Sequence, residues 1–271
     1  MIRCAPLLAL ALAGCTAAPA REAAPHGIVS LNPCTDAILA EVADPGQIAG
    51  LSSYSSDPAS SSMDVTVARR FPALSGSVEE VAALRPALVI GSTFTPPATR
   101  AAFDRMGLRF AAFGSPVTVA ENEAQVCEIA ALAGHPERGA ALNARIEDAL
   151  AAAKVHGAPV PALVWESGGM VPGDGTLIAE LLARAGFSNA AALRGLNQSD
   201  LLPLEQVLAA PPRVILTAGN PNSNEDRLLA HPALGALRGT VRARLDPSLL
   251  WCGGPSIPRT MSRLAEVRRS L

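Results

Sequence analysis

The sequence predicts an α/β protein built as two lobes, each with a parallel sheet, joined by a long helix. Three observations predict it. From His26 onward, short apolar stretches alternate with amphipathic helical ones. A helical period then runs from His135 to about Lys154 without a strand. Finally, the block 77–91 recurs at 203–217 without a gap.

The elements follow in order. Gly27 to Leu31 is a short apolar strand, Thr35 to Val42 a helix, and Gln47 to Leu51 a second strand. Ser52 to Ser75 is a polar, Ser-rich loop with a helical turn near Val65 to Arg69. Helix Val78 to Leu84, strand Ala87 to Ile90, helix Pro97 to Met106, strand Arg109 to Ala112 and helix Val119 to Leu132 complete the first lobe. Its strands are apolar on both faces, as helix-covered parallel strands must be. The long Ala-rich helix opens at His135-Pro136 and stops before Gly157, Pro159 and Pro161. Alternation then restarts. Strand Ala162 to Trp165, helix Leu177 to Ala185, helix Leu204 to Ala209 and strand Val214 to Thr217 come first. Helix Glu225 to Ala230, strand Val241 to Leu245 and a last helix Pro258 to Arg269 follow. The divisions are a leader 1–15, a tether 16–26, a lobe 27–134, a connecting helix 135–157 and a lobe 158–271.

In the repeated block Glu79 falls on Glu205, Val81 on Val207, Ala83 on Ala209 and Pro86 on Pro212. Ser77 with Glu80 reads as a capping box, which gives Glu80 a local role. Glu79 has none and points from the first helical turn into water. An acid there favours the helix dipole, which accounts for one such Glu but less well for the same position in both halves.

Composition narrows the function. The chain has 271 residues, 49% hydrophobic and 17% charged, so it is globular. A net charge of −2 leaves no basic field for nucleic acid. Aromatics are only 3%, which makes Tyr54, Trp165 and Trp251 candidates for particular tasks. The leader has Arg3, an apolar run Cys4 to Ala13 and then Leu12-Ala13-Gly14-Cys15. The run is too short to span a bilayer and suits a signal segment. Leu-Ala-Gly-Cys resembles a lipobox with Cys15 as the lipidated residue; the competing reading is cleavage after Ala18-Pro19-Ala20. Either exports the protein and permits disulfides. With Cys4 and Cys15 set aside, Cys127 falls in a helical pattern and is expected to be buried. Cys34 and Cys252 lie in turn contexts, which favours a 34–252 bridge over two unpaired buried cysteines. No CxxC occurs and the four His are scattered, so no metal site is expected.

Four stretches carry a resemblance: Ile28 to Asp36; Gly76 to Ile90 with its Glu-x-x-x-x-Leu-Arg-Pro core; Gly173-Asp174-Gly175-Thr176-Leu177 running into Leu181 to Gly186; and Leu204 to Val207. In this order, about a long central helix, they resemble class III periplasmic binding proteins, the carriers of cobalamin, siderophores and haem to ABC importers. The resemblance implies two Rossmann-like lobes, a ligand cleft between them, small opening motions and a monomer. It implies that Glu79 and Glu205 dock on arginines of a dimeric ABC permease, which works with its ATPase. The chain would carry no intrinsic cofactor; its ligand would be a small cobalt or iron chelate. Sheet geometry places ligand residues at strand carboxyl ends: Ser30, Asn32, Tyr54, Ser55, Thr93 and Phe94 in the first lobe, and Trp165, Asn220 and Trp251 in the second. Each Trp is equally readable as core. Leu51 to Ser55 is similar to the matching stretch of corrinoid-binding members, which implies a tyrosine against the corrin and favours cobalamin or a related corrinoid. A haem would want an axial Tyr or His, and an anionic siderophore a cluster of Arg; the cleft loops show no such cluster.

An exported enzyme is the reading from another class. The chain has no Gly-x-Ser-x-Gly elbow, Walker loop or His-Glu-x-x-His, so no catalytic residue is expected. Gly173-Asp174-Gly175-Thr176 could mimic a phosphate loop, but no lysine follows to hold phosphate. A sensory receptor module is the third reading.

Overall fold

The computed structural model describes residues 26–220 and 226–271. The leader, Cys15 and the tether up to residue 25 lie outside the described residues. So does the start of the helix expected at Glu225.

The first lobe runs β1 (Ile28–Ser30), α1 (Pro33–Val42), β2 (Ile48–Ser52), α2 (Val65–Ala68), β3 (Ala73–Leu74), α3 (Val78–Leu84), β4 (Leu88–Ser92), α4 (Pro97–Arg105), β5 (Phe110–Phe113) and α5 (Val119–Leu132). After α6 (Pro136–Ala152) the second lobe runs β6 (Val160–Glu166), β7 (Met170–Pro172), α7 (Leu177–Arg184), β8 (Phe187–Asn189), β9 (Ser199–Leu201), α8 (Leu204–Ala209), β10 (Val214–Ala218), α9 (Pro232–Gly235), β11 (Val241–Arg244) and α10 (Ile257–Arg269). Two parallel sheets result, ordered β3-β2-β1-β4-β5 and β11-β10-β6-β8. A separate antiparallel ribbon pairs β7 with β9. The expected α/β architecture is therefore present.

The internal repeat is structural. β4 starts at Leu88 and β10 at Val214, the same spacing that separates Glu79 from Glu205. Each strand follows its own short helix, α3 or α8, and pairs with the first strand of its lobe, β1 or β6. The capping box is only half formed. Ser77 Oγ accepts from the Glu80 N–H at 3.3 Å, but the Glu80 carboxylate takes the N–H and hydroxyl of Ser75, both at 2.7 Å. Those two donors hold its pKa below the usual range.

Apolar packing explains how the lobes are joined. One core cluster runs from Ile28, Ile38 and Ile90 through Ile129, Leu142 and Ile146 to Val164, Leu216 and Leu264. α6 therefore contributes to a core that reaches both sheets. The outer face of each sheet has its own smaller cluster: Val29, Val81, Val89 and Phe103 in one, Leu163, Trp165, Val207 and Ile215 in the other. Cys127 differs from expectation. Its neighbours Val126 and Ile129 are buried, but Cys127 sits one position off that stripe and is exposed, with Asn143 Nδ2 donating to its sulfur at 3.3 Å.

Candidate functional site

In parallel sheets the strand carboxyl ends open onto a crevice, because the helices leave there and the chain must turn. Such a crevice lies between the two lobes here. A cavity of about 340 Å³ is lined from the first lobe by residues after β1 (Asn32, Cys34) and after β5 (Gly114 to Val117), with Gln125 of α5. From the second lobe it takes Glu166 at the end of β6, Met170, Thr176, Gln198, Ser199 and Trp251. Asn32 is also the N-cap of α1: its Oδ1 accepts from the Cys34 N–H at 2.8 Å. Gln125 Nε2 donates to the Gly114 carbonyl at 2.9 Å, which fixes the β5–α5 turn at the wall.

The base of the cleft is tied across the lobes. Cys34 and Cys252 form a disulfide with Cα atoms 5.1 Å apart. The Cys252 N–H donates to Ser62 Oγ at 3.0 Å, and the Gly254 N–H to Asn122 Oδ1 at 2.7 Å. Any side chain at Gly253 would run into that Asn122 carboxamide. From α7, Glu180 Oε2 accepts from the Val119 N–H at the start of α5, at 2.8 Å, while Oε1 holds Arg184.

Two expected ligand residues, Asn32 and Trp251, line the cavity. The others do not, and each has a local reason. Ser30 is buried, with its hydroxyl 2.8 Å from that of Thr35. Asp36 determines the next two. It is fully buried, and its carboxylate accepts from the Ser52 N–H at 2.9 Å and from Ser55 Oγ at 2.6 Å. That pulls Ser55 inward and turns Tyr54 out, leaving Tyr54 61% exposed. Burial pushes the Asp36 pKa up to about 8 against the pull of those hydrogen bonds. After β4 the Phe94 N–H folds back on Ser92 Oγ at 3.0 Å, and Thr93 and Phe94 face solvent outside the cavity. Asn220 is exposed and its N–H is held by Asp226 Oδ2 at 2.5 Å. Trp165 is completely buried on the outer face of the second sheet, so it is core and not a cleft residue. Strand alternation places its neighbour Glu166 at the cavity instead.

Sequence reasoning missed Gln125, Gln198, Thr176 and Val117; it placed the stretch Trp165 to Met170 at strand ends facing the cleft but singled out Trp165 and not Glu166 or Met170. For Glu166 a signal existed: it is the last residue of a strand whose preceding residues are all apolar. The Gly173-Asp174-Gly175-Thr176 loop also has a structural explanation. The amides of residues 173, 174 and 175 donate to the carbonyls of Gln198, Leu196 and Asn197 at 2.9, 3.2 and 2.6 Å. These donors are spent within the protein, and a Cβ on Gly173 would lie 2.5 Å from the Leu196 oxygen. The glycines therefore allow two backbones to meet beside the cavity.

Glu79 and Glu205 are both exposed, in the first turns of α3 and α8. Among the described residues no cluster of His, Cys, Asp and Glu could hold a metal ion, and no helix is long and apolar enough to cross a membrane.

Comparison with known proteins bears on this geometry. The sequence profile of a family described as periplasmic binding protein matches residues 28–244. No curated protein sequence matches the chain. Among solved structures, the periplasmic heme-binding protein RhuT of Roseiflexus sp. RS-1 is 25% identical with TM-score 0.69, over 91% of this chain and 97% of that one. The periplasmic heme-binding protein HutB of Vibrio cholerae is 18% identical with TM-score 0.73, over 89% and 98%. The periplasmic vitamin B12-binding protein BtuF of Vibrio cholerae is 20% identical with TM-score 0.64, over 91% and 98%. At the two lower identities the likeness is one of fold.

Proposed function

The chain belongs to the periplasmic binding protein family, and from that premise we propose that it captures a corrinoid in the interlobe cavity and delivers it to an ABC permease. One observation carries the choice of ligand. The cavity is lined by apolar side chains, amides, hydroxyls and one carboxyl group, that of Glu166, with no Lys, Arg, His or Tyr among the described lining residues. A corrinoid has a flat macrocycle edged with amides and a metal that needs no ligand from the protein. Trp251, Met170 and Val117 offer it an apolar face; they are 49%, 42% and 39% exposed. Asn32, Gln125, Gln198, Ser115 and Ser199 offer hydrogen bonds to an amide rim. An anionic siderophore would find no cation there.

Delivery rests on the pair Glu79 and Glu205. Each is an exposed acid at the matching place of a repeated unit, so a permease dimer with a matching basic pair could be met in one register. The protein binds its ligand and does not transform it. Export through the leader, with Cys15 as lipid anchor, completes the reading.

Haem is the second reading, and Tyr54 favours it. Its phenol is exposed and follows the carboxyl end of β2, on the same sheet edge as Asn32. Phenolate is one of the groups that hold haem iron. Native mass spectrometry of the purified protein with cobalamin, haem and several ferric siderophores decides between them. The expected result is one cobalamin per chain at micromolar concentration. Binding of haem alone, with a spectrum that changes in Tyr54→Phe, would reject the corrinoid reading.

A further inference from the structure

Among the described residues Glu166 is the only ionisable side chain lining the cavity; the two cysteines there are joined to each other. It ends β6, where it pairs in register with Ala218 of β10. Among the described residues no hydrogen bond reaches its carboxyl group, and burial raises its pKa. Another acid, Asp226, lies just beyond the carboxyl end of β10, the strand paired with β6. It is buried beside Gly219 and Ser167, and its carboxylate takes the Asn220 N–H. Among the described residues no basic side chain of the lining stands by to neutralise Glu166. A carboxyl group partly withdrawn from water and given no donor is a costly feature in a binding site. Its cost is relieved when the ligand supplies the donor.

We propose that Glu166 selects the charge class of the chelate, accepting a hydrogen bond from a neutral or cationic donor on the rim and rejecting a chelate that presents a carboxylate there. The proposal rests on the reading of the cavity as a chelate site, and it adds the group that discriminates within that class. An amide N–H on the ligand gives Glu166 the charge-assisted bond that the protein withholds. A ligand carboxylate meets a like charge in a place with little water and no counter-ion. Repulsion of this kind rejects the wrong ligand without new contacts to the right one. Asn32, Gln125 and Gln198 tolerate either rim, because a carboxamide can donate or accept. Glu166 alone distinguishes them by charge.

Two matched pairs of chelates test this: cobinamide against cobyrinic acid, which differ in amide or carboxylate rims, and haem dimethyl ester against haem. Affinities are measured at pH 8 for the wild-type protein, for Glu166→Gln, and for Glu166→Ser as a second variant, each checked for folding by circular dichroism. The wild type should prefer the uncharged member of a pair by tenfold or more. Both variants should narrow that ratio below threefold, chiefly by binding the carboxylate member better. An unchanged ratio in a folded variant overturns the proposal. If only the haem pair binds, the corrinoid reading fails while the Glu166 ratio is still read from that pair. Binding of neither pair overturns both.

Discussion

Replacing Cys34 and Cys252 together by serine removes a covalent link between residues 218 apart in sequence. The chain-entropy treatment of a loop of that length gives about 5 kcal/mol of lost stability, because the unfolded chain regains the freedom that the bridge denied it. The folded side changes little. Cys252 keeps its N–H bond to Ser62, Gly254 keeps its bond to Asn122, and the serine hydroxyls fill most of the vacated space. For a chain of this size, each kcal/mol lowers the midpoint by about 2–4 °C. The double variant should therefore melt roughly 10–20 °C below the wild type, as followed by circular dichroism. A reductant should lower the wild type by a similar amount and leave the variant where it is. Thiol titration of the oxidised mature protein under denaturant should find Cys127 reactive and Cys34 and Cys252 unreactive. A fall smaller than about 4 °C, below the usual range for native bridges, would refute the staple, as would free thiols at both positions.

Asp36→Asn should flatten the pH dependence of stability. The folded carboxyl group holds its proton more tightly than the unfolded one, so its contribution is complete below about pH 4 and is lost as pH rises through about 8. Within that window the wild type should lose at most about 1.4 kcal/mol per pH unit relative to the variant in urea unfolding; parallel curves at pH 5 and 7 would reject this. Glu79→Ala with Glu205→Ala should leave chelate affinity within twofold and reduce cellular uptake at least tenfold, and undiminished uptake would remove the docking assignment. Gly173→Ala should cost about 1–3 kcal/mol, since its Cβ meets the carbonyls of Leu196 and Gln198; an unchanged melting midpoint would show that the two backbones separate freely.

The parts of the fold legible in the sequence are those with a local cause. α3 with β4, and α8 with β10, were visible because each joins a helical period to an apolar run, and because the second copy repeats the first. β7, β8 and β9 were not. Ser199-Asp200-Leu201 is exposed along its length and carries no period; it is a strand only because Met170 to Pro172 lies opposite. At the site the same division holds. Asn32 and Trp251 follow elements whose ends could be read. Tyr54 and Ser55 both leave the cavity because Asp36, across the lobe, draws the serine inward and turns the tyrosine out, and no local pattern announces that. Trp165 and Glu166 turned on the phase of β6: a shift of one residue exchanges core for cleft.

The ties at the base of the cleft limit what the lobes can do when ligand arrives. α6 shares a core with both sheets, Cys34 is bonded to Cys252, and Asn122 and Val119 of one lobe are held by Gly254 and Glu180 of the other. A wide hinge would have to break several of these at once, including hydrogen bonds buried from water. Freedom remains at the mouth, where Trp251, Met170 and Val117 are exposed. Ligand entry is then a matter of side chains and short loops closing over an apolar edge, with Glu79 and Glu205 kept at nearly constant separation. If Glu79 and Glu205 dock the permease as proposed, constant separation would let it meet both acids before and after ligand is bound. Under that proposal the signal that ligand is aboard would come from the mouth and not from the spacing of the acids.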